Sequence, residues 1–131
     1  MEIKRIKSFS EKDLYELFSS VNWKSADNPK KLVEAFEKSS NVVSAWEGNC
    51  LIGIIRSMDD SCWSANIDCL AVHKDFQGKG VAKKLMQELL NDLKNIVYIN
   101  VCPDNKDMEK FYSEFGFQIV DGYYLQKINS L

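Results

Sequence analysis

The stretch HKDFQGKGVAKKLM, residues 73 to 86, decides the fold, because it joins a strand-like apolar run to the strongest helical pattern in the chain. Residues 81 to 93 place apolar side chains at every third or fourth position, which predicts an amphipathic helix. Two of the six glycines, Gly78 and Gly80, flank Lys79 just before that helix. Unpaired N–H groups and partial positive charge meet at a helix start, and glycine lets an anion approach the backbone. The stretch therefore predicts a local anion site, although glycines that only shape a turn would give the same pattern.

Two common phosphate-binding loops do not match this stretch. The Walker loop requires GxxxxGK followed by Ser or Thr, whereas Lys79 is followed by a glycine. The dinucleotide pattern GxGxxG requires a third glycine where Lys83 stands, and an acidic residue where the next strand ends in Cys102 and Pro103. The predicted anion site therefore belongs to another class of loop.

The composition is that of one globular domain spanning residues 1–131. Apolar residues make up 45% and charged residues 27% of the chain, which is ordinary for a folded protein. The net charge of -2 argues against nucleic-acid binding, which needs a broad basic face. The N-terminus has no signal-like apolar core and no run reaches membrane-spanning length, so we expect a cytoplasmic protein that binds no membrane.

The cysteines indicate neither a disulfide framework nor a metal site. Cys50, Cys62, Cys69 and Cys102 form no CxxC pair, and the chain has a single histidine. We therefore expect four reduced and mostly buried thiols, and no bound metal.

The remaining patterns predict an α/β fold. An edge strand at residues 2–7 precedes a helix opened by Ser10 and a second helix that starts near Asn28, with Pro29 at its first position. Two strands surround a turn at Gly48, and a third ends at residue 72. Residues 96–103 follow the long helix and predict a parallel strand covered on both faces. A short helix ends at Gly116, and residues 117–121 and 123–128 are predicted to form an antiparallel pair.

The glycine stretch resembles the acyl-CoA signature of the GNAT N-acetyltransferase superfamily, which is Gln or Arg, then xxGx, then Gly or Ala. Residues 77 to 82, QGKGVA, match it in every fixed position. LAVHKDFQGKG and NKDMEKFYSEFGF resemble the family's successive segments and cover most of residues 65–117. VNW at 21–23, SSNVVSAW at 39–46 and LIGIIR at 51–56 are similar to the arylalkylamine and serotonin acetyltransferase branch.

The resemblance implies a GNAT fold that binds acetyl-CoA as cosubstrate. Its mixed, strongly twisted sheet of about six to seven strands splays between residues 65–72 and 96–102 and is flanked by about four helices. Acetyl-CoA is expected in the split, with the pantetheine arm along the backbone of Leu70, Ala71 and Val72. The other implied cofactor-binding residues are Gln77, Gly78, Lys79, Gly80, Val81, Ala82 and Lys83 around the pyrophosphate, together with Asn105 and Tyr112.

The implied reaction is acetyl transfer to a primary amine by direct attack in a ternary complex. Three groups are needed: an oxyanion donor, a proton acceptor and a proton donor. The resemblance assigns the Leu70 N–H as oxyanion donor and the Tyr112 hydroxyl as the acid that protonates the departing thiolate. Without the resemblance, Tyr112 would be interpreted as a core residue, because it lies on an apolar helical stripe.

The proton acceptor has several candidates. Asp68 comes first, but many family members carry their acid one residue later, where this chain has Cys69, and a one-residue offset reverses the face of a strand. Asp59 and Asp60 would instead attract a cationic substrate. His73 is interpreted as a turn residue. Cys69 has no histidine partner, so a covalent acetyl-enzyme is disfavoured.

Two other classes of function compete with this prediction. A non-catalytic acyl-CoA sensor would bind the cofactor without transferring its acetyl group. An interaction module of a larger assembly would expose a large apolar patch. For the enzyme we expect a small cationic amine as acceptor and a monomer or homodimer, and the sequence does not identify the amine.

Overall fold

The computed structural model describes residues 1–120, 122 and 125–129 as an α/β fold. Three short 3₁₀-helical turns at Lys24–Asp27, Lys74–Phe76 and Lys106–Met108 connect longer elements. The strands are β1 (Glu2–Lys4), β2 (Asn41–Glu47), β3 (Cys50–Asp59), β4 (Ser64–Val72) and β5 (Tyr98–Val101), and the helices are α1 (Glu11–Ser20), α2 (Pro29–Glu37), α3 (Val81–Asp92) and α4 (Glu109–Ser113).

The sheet has the order β1-β2-β3-β4-β5, so each strand pairs with its neighbour in sequence. The first three pairings are antiparallel, and β4 pairs with β5 in parallel through the α3 crossover, as predicted. The β2–β3 hairpin turns at Gly48, whose φ of 58° lies in the left-handed region that glycine adopts without strain.

Each face of the sheet carries its own core. Leu14, Phe18 and Phe36 from α1 and α2 pack with Val42 and Ile54 on one face. On the other face α3 packs closely on β3, because position 53 is glycine. A Cβ at Gly53 would lie 2.9 Å from the Val81 Cγ1 and 3.0 Å from the Leu85 Cδ1. The two helical layers hold the sheet from both sides and fix the position of the end of β4.

The helix starts follow their local capping signals. The Ser10 side chain accepts a hydrogen bond from the Asp13 N–H at 3.1 Å, and the Asn28 side chain accepts one from the Lys31 N–H at 3.4 Å. Pro29 stands in the first turn of α2 as predicted. These predictions hold because capping depends on residues within one turn of the helix.

The strand count differs from the prediction. In the described part of the chain the sheet has five strands, and residues 117–120 and 125–129 lie in no strand. Asp121, Tyr123 and Tyr124, which belong to the predicted closing pair, lie outside the described residues. β5 is also less covered than expected, because α1 and α2 cover β2–β4 and leave Tyr98 and Asn100 exposed.

The prediction of mostly buried cysteines is wrong. Cys50, Cys62 and Cys102 are exposed, and Cys69 is partly buried. The exposed three lie at or beside the ends of strands, where the layers of helices no longer cover the chain. The described residues contain no group of three or more His, Cys, Asp or Glu side chains placed to hold a metal ion.

Candidate functional site

The sheet splits between β4 and β5. Their parallel register runs from Ser64 opposite Tyr98 to Ile67 opposite Val101 and stops there, while β4 continues to Val72. A cleft of about 480 Å³ opens beside the unpaired end of β4. Its walls are β4, the loop before α3, the start of α3, and the segment after β5. The split predicted from the resemblance is therefore present in the fold.

A β-bulge interrupts β4 at the mouth of this split. Arg56 on β3 stands opposite Asp68 and Ile54 opposite Ala71, so two residues of β4 face one residue of β3. Cys69 takes a φ of 57°, a left-handed conformation that is unusual for a residue with a side chain. Within the described strands no residue is in register with Leu70. Leu70 thus lies at the bulge, on the wall of the cleft.

The loop before α3 has the geometry of an anion cradle. Gly78 and Gly80 have φ values of 77° and 81°, and a Cβ at either position would meet no atom of the described chain within 4 Å. Gly80 is the N-cap of α3, and no described side chain caps that helix. Gln77 fixes the loop, since its Nε2 donates to the Val72 carbonyl at 3.0 Å. Open space and unpaired first-turn N–H groups suit a diphosphate.

Most residues implied as cofactor-binding share the walls of this one cleft. Lys79 differs, because its Nζ lies 5.3 Å from the ring centre of Phe76 instead of lining the cleft. Asn105 lines the cleft, and its Oδ1 accepts a hydrogen bond from the Asp107 N–H at 2.9 Å. The predicted residues that line the cleft are Leu70, Ala71, Val72, Gln77, Gly78, Gly80, Val81, Ala82, Lys83 and Asn105.

Tyr112 lies in a separate recess of about 50 Å³ that adjoins the cleft. Its side chain is only 7% exposed, and its ring packs edge-to-face against Phe111 and Phe117. Burial raises the pKa of its hydroxyl to about 12, and the nearby Asp104 and Cys102 contribute in the same direction. The hydroxyl therefore keeps its proton at neutral pH, as a proton donor must. Tyr112 therefore combines a ring that packs in the core with a position on the wall of the recess.

Asp68 is held by an arginine. The Arg56 Nε donates to one oxygen of the Asp68 carboxylate at 2.5 Å, and the Arg56 Nη2 donates to the other at 3.3 Å. The remaining Nη1 of Arg56 contacts the Ala35 carbonyl and the Ser39 hydroxyl, at 3.4 and 3.3 Å. Asp68 borders the recess, but both of its oxygens already accept hydrogen bonds from a guanidinium that is fixed to the end of α2.

The other acidic and nucleophilic candidates have structural roles. Asp60 accepts hydrogen bonds from three backbone N–H groups, which lowers its pKa to about 2. This turn precedes β4 and lies about 20 Å along the strand from Leu70. His73 accepts a hydrogen bond from the Asp75 N–H at its Nδ1, as expected of a turn residue. Burial raises the pKa of the Cys69 thiol to about 12, which disfavours a nucleophilic thiolate.

The structure adds three site residues that the sequence patterns did not single out. Trp23 lines both the cleft and the recess, stacked on Phe18 at 5.2 Å between ring centres. Asp104 also lines both, and Arg56 donates hydrogen bonds to the Asp68 carboxylate. Their positions depend on contacts between distant segments, so no local pattern indicates them.

The family model for the acetyltransferase (GNAT) family matches residues 9–117. The chain therefore belongs to this family. It is 32% identical over 112 residues to the uncharacterized N-acetyltransferase ycf52 of Porphyra purpurea, covering 80% of this chain and 63% of that protein. It is 30% identical over 120 residues to the histone acetyltransferase TAP1 of Glycine max, covering 81% of this chain and 51% of that protein. The chain thus spans about half to two thirds of these relatives.

Solved structures support the same fold. A GNAT family acetyltransferase from Streptococcus pneumoniae superposes with a TM-score of 0.80 at 26% identity, covering 98% of this chain and 97% of that one. Glucosamine-6-phosphate N-acetyltransferase from Arabidopsis thaliana superposes with a TM-score of 0.72 at 15% identity, covering 99% and 100% of the two chains. The second likeness is one of fold alone. None of the helices in the described part of the chain has the length and apolar character needed to cross a membrane.

Proposed function

We propose that this domain is an acyltransferase that moves the acetyl group of acetyl-CoA to a primary amine. One observation carries the proposal. The split between β4 and β5 brings the bulge at Leu70 and the glycine cradle before α3 to the walls of the cleft, and the Tyr112 recess adjoins that cleft. Only an extended ligand with an anionic end and a reactive end would use all three features. Acetyl-CoA has this shape, and the amine would enter from the recess.

Each part of acetyl-CoA has its own set of binding residues in this proposal. N–H groups from Gly78 to Lys83 hold the diphosphate, and backbone groups of Leu70 to Val72 pair with the pantetheine arm. The Leu70 N–H donates to the thioester oxygen, where negative charge develops during attack. The Tyr112 hydroxyl donates a proton to the departing thiolate. The raised pKa of Cys69 favours direct attack by the amine over an acetyl-enzyme.

The acceptor has two candidates. Similarity of the N-terminal half to arylalkylamine and serotonin acetyltransferases supports an arylalkylamine as one acceptor to test. A protein lysine is the other, because a plant relative is named a histone acetyltransferase. We also propose a cytoplasmic location, no binding of nucleic acid or membrane, and a monomer or homodimer. A non-catalytic acyl-CoA sensor is the alternative function.

The cofactor is tested by thermal unfolding with Gly80→Asp. Acetyl-CoA at about 100 times its Kd should add about 2.7 kcal/mol of stability, because only the folded state binds it. With an unfolding entropy of about 2.1 cal per mol per K for each residue, this raises the Tm by about 10 °C. Gly80→Asp places a negative charge in the cradle, so the Tm rise should disappear.

Gly48→Asp is the matched control. Gly48 also has a positive φ, a Cβ there would meet no described atom within 4 Å, and it lies in the β2–β3 turn away from the cleft. This variant carries the same strain and charge, so it should keep the full Tm rise. Equal Tm rises in the two variants would contradict the assignment of the glycine loop as the diphosphate site. A Tm rise without thiol release from any amine would favour the sensor.

A further inference from the structure

The recess beside Tyr112 adjoins the cleft. It shares Trp23, Leu70, Asp104 and Met108 with the cleft, so a group in the recess would lie next to the reactive end of a ligand in the cleft. Its volume is about 50 Å³. One water molecule needs about 10 to 15 Å³ of volume measured in this way, so the recess has room for an ammonium group.

The two carboxylates that border the recess are not equivalent. Both oxygens of Asp68 accept hydrogen bonds from Arg56, whose charge balances that of the carboxylate. Asp104 makes no side-chain hydrogen bond or ion pair with any residue in the described ranges. Of the two, Asp104 has the free lone pairs that a cationic ligand requires.

Tyr112 independently indicates a ligand in this recess. Its side chain is more than nine-tenths buried, yet its hydroxyl has no hydrogen-bond partner among the described residues. In the described part of the chain every fully buried side-chain oxygen has a hydrogen-bond partner. The Tyr112 oxygen has none, so it is accessible to solvent or to a ligand. Tyr112 and Asp104 both line the recess, and after burial itself the charge of Asp104 is the next cause of the raised pKa of Tyr112. A ligand in the recess would therefore lie against both residues.

We propose that Asp104, and not Asp68, binds the acceptor's ammonium group and takes its first proton. This inference rests on the proposed acetyl transfer and deepens it. The ammonium loses one proton to the Asp104 carboxylate, and the freed lone pair forms the C–N bond as the C–S bond breaks. The thiolate takes the Tyr112 proton. The second nitrogen proton restores Tyr112, and the proton on Asp104 leaves to solvent.

Asp68 instead positions the bulge. It stands directly opposite Arg56 across the β3–β4 ladder and precedes Cys69, whose left-handed conformation places Leu70. Loss of its carboxylate leaves Arg56, only 19% exposed, without its charge partner. Asp68→Asn should therefore lower the free energy of unfolding, whereas Asp104→Asn should not.

The carboxylate assignment is tested by steady-state kinetics with n-butylamine as the probe. Asp104→Asn should lower kcat/KM by about 10²-fold or more, the usual loss with a missing general base, and keep the acetyl-CoA-dependent Tm rise. Asp107→Asn makes the same charge change at an exposed side chain outside the recess and should stay within about twofold of the wild type. A kcat/KM for Asp104→Asn within about threefold of the wild type overturns the assignment.

Absence of turnover with every amine would instead overturn the proposed acetyl transfer itself.

Discussion

Replacing Tyr112 by phenylalanine separates the chemistry of its hydroxyl from the packing of its ring. The ring contacts with Phe111 and Phe117, at 5.2 and 5.7 Å between centres, would remain. The hydroxyl has no hydrogen-bond partner in the described structure, so its loss should change the free energy of unfolding by less than about 1 kcal/mol. Turnover is expected to respond very differently from stability.

The expected loss in kcat is about 10² to 10⁴-fold, the usual contribution of a general acid. This corresponds to about 2.7 to 5.5 kcal/mol of activation free energy, at about 1.4 kcal/mol for each factor of ten. The loss is not complete, because a thiolate whose acid has a pKa of about 8.5 is able to depart unprotonated. Since the pKa of Tyr112 is raised to about 12, the wild type should keep its proton donor up to at least about pH 10.

The exposed cysteines limit the choice of assay for released CoA. Cys50, Cys62 and Cys102 would react with a thiol dye, so released CoA is measured by chromatography. Tyr15→Phe, an exposed tyrosine on α1, is the matched control and should have normal kcat and stability. The reasoning is refuted if Tyr112→Phe keeps near-normal kcat while its Tm falls by several degrees, because a purely structural tyrosine predicts that result.

Two further predictions concern stability. Gly53→Ala should lower the free energy of unfolding by about 1 to 3 kcal/mol in urea denaturation, because its Cβ would meet Val81 at 2.9 Å. Gly122→Ala should be nearly neutral, because a Cβ there would meet no described atom within 4 Å. Equal stability of these two variants would contradict the close packing of α3 on β3. The wild type should lose stability as the pH rises from about 9 towards 12, because burial raises the pKa of Cys69 from 9.0 to about 12 and that of Tyr112 from 10.0 to about 12. The folded state then keeps protons that the unfolded chain loses. Cys69→Ala should reduce the decrease in the free energy of unfolding with pH. A free energy of unfolding that is constant from pH 8 to 11 would disprove this prediction.

Features that depend on neighbouring residues were predictable from the amino-acid sequence. The caps at Ser10 and Asn28, the turn at Gly48 and the amphipathic helix after Gly80 are local, so their patterns were sufficient to predict them. The parallel pairing of β4 and β5 also followed, because a strand that comes after a crossover helix returns in the same direction. The acyl-CoA signature indicated the family on the same local basis, and the family match confirmed it.

The groups that lie together at the site could be identified only from the folded structure. The bulge at Cys69 arises from the register between β3 and β4, and its sequence contains no glycine to mark it. Arg56 reaches Asp68 across that ladder, so the carboxylate favoured by the sequence is already neutralised by a partner 12 residues away. Trp23 and Asp104 meet in one recess although more than half of the chain separates them. These contacts join residues that are distant in sequence, and strand register and helix packing, which bring them together, are properties of the whole fold.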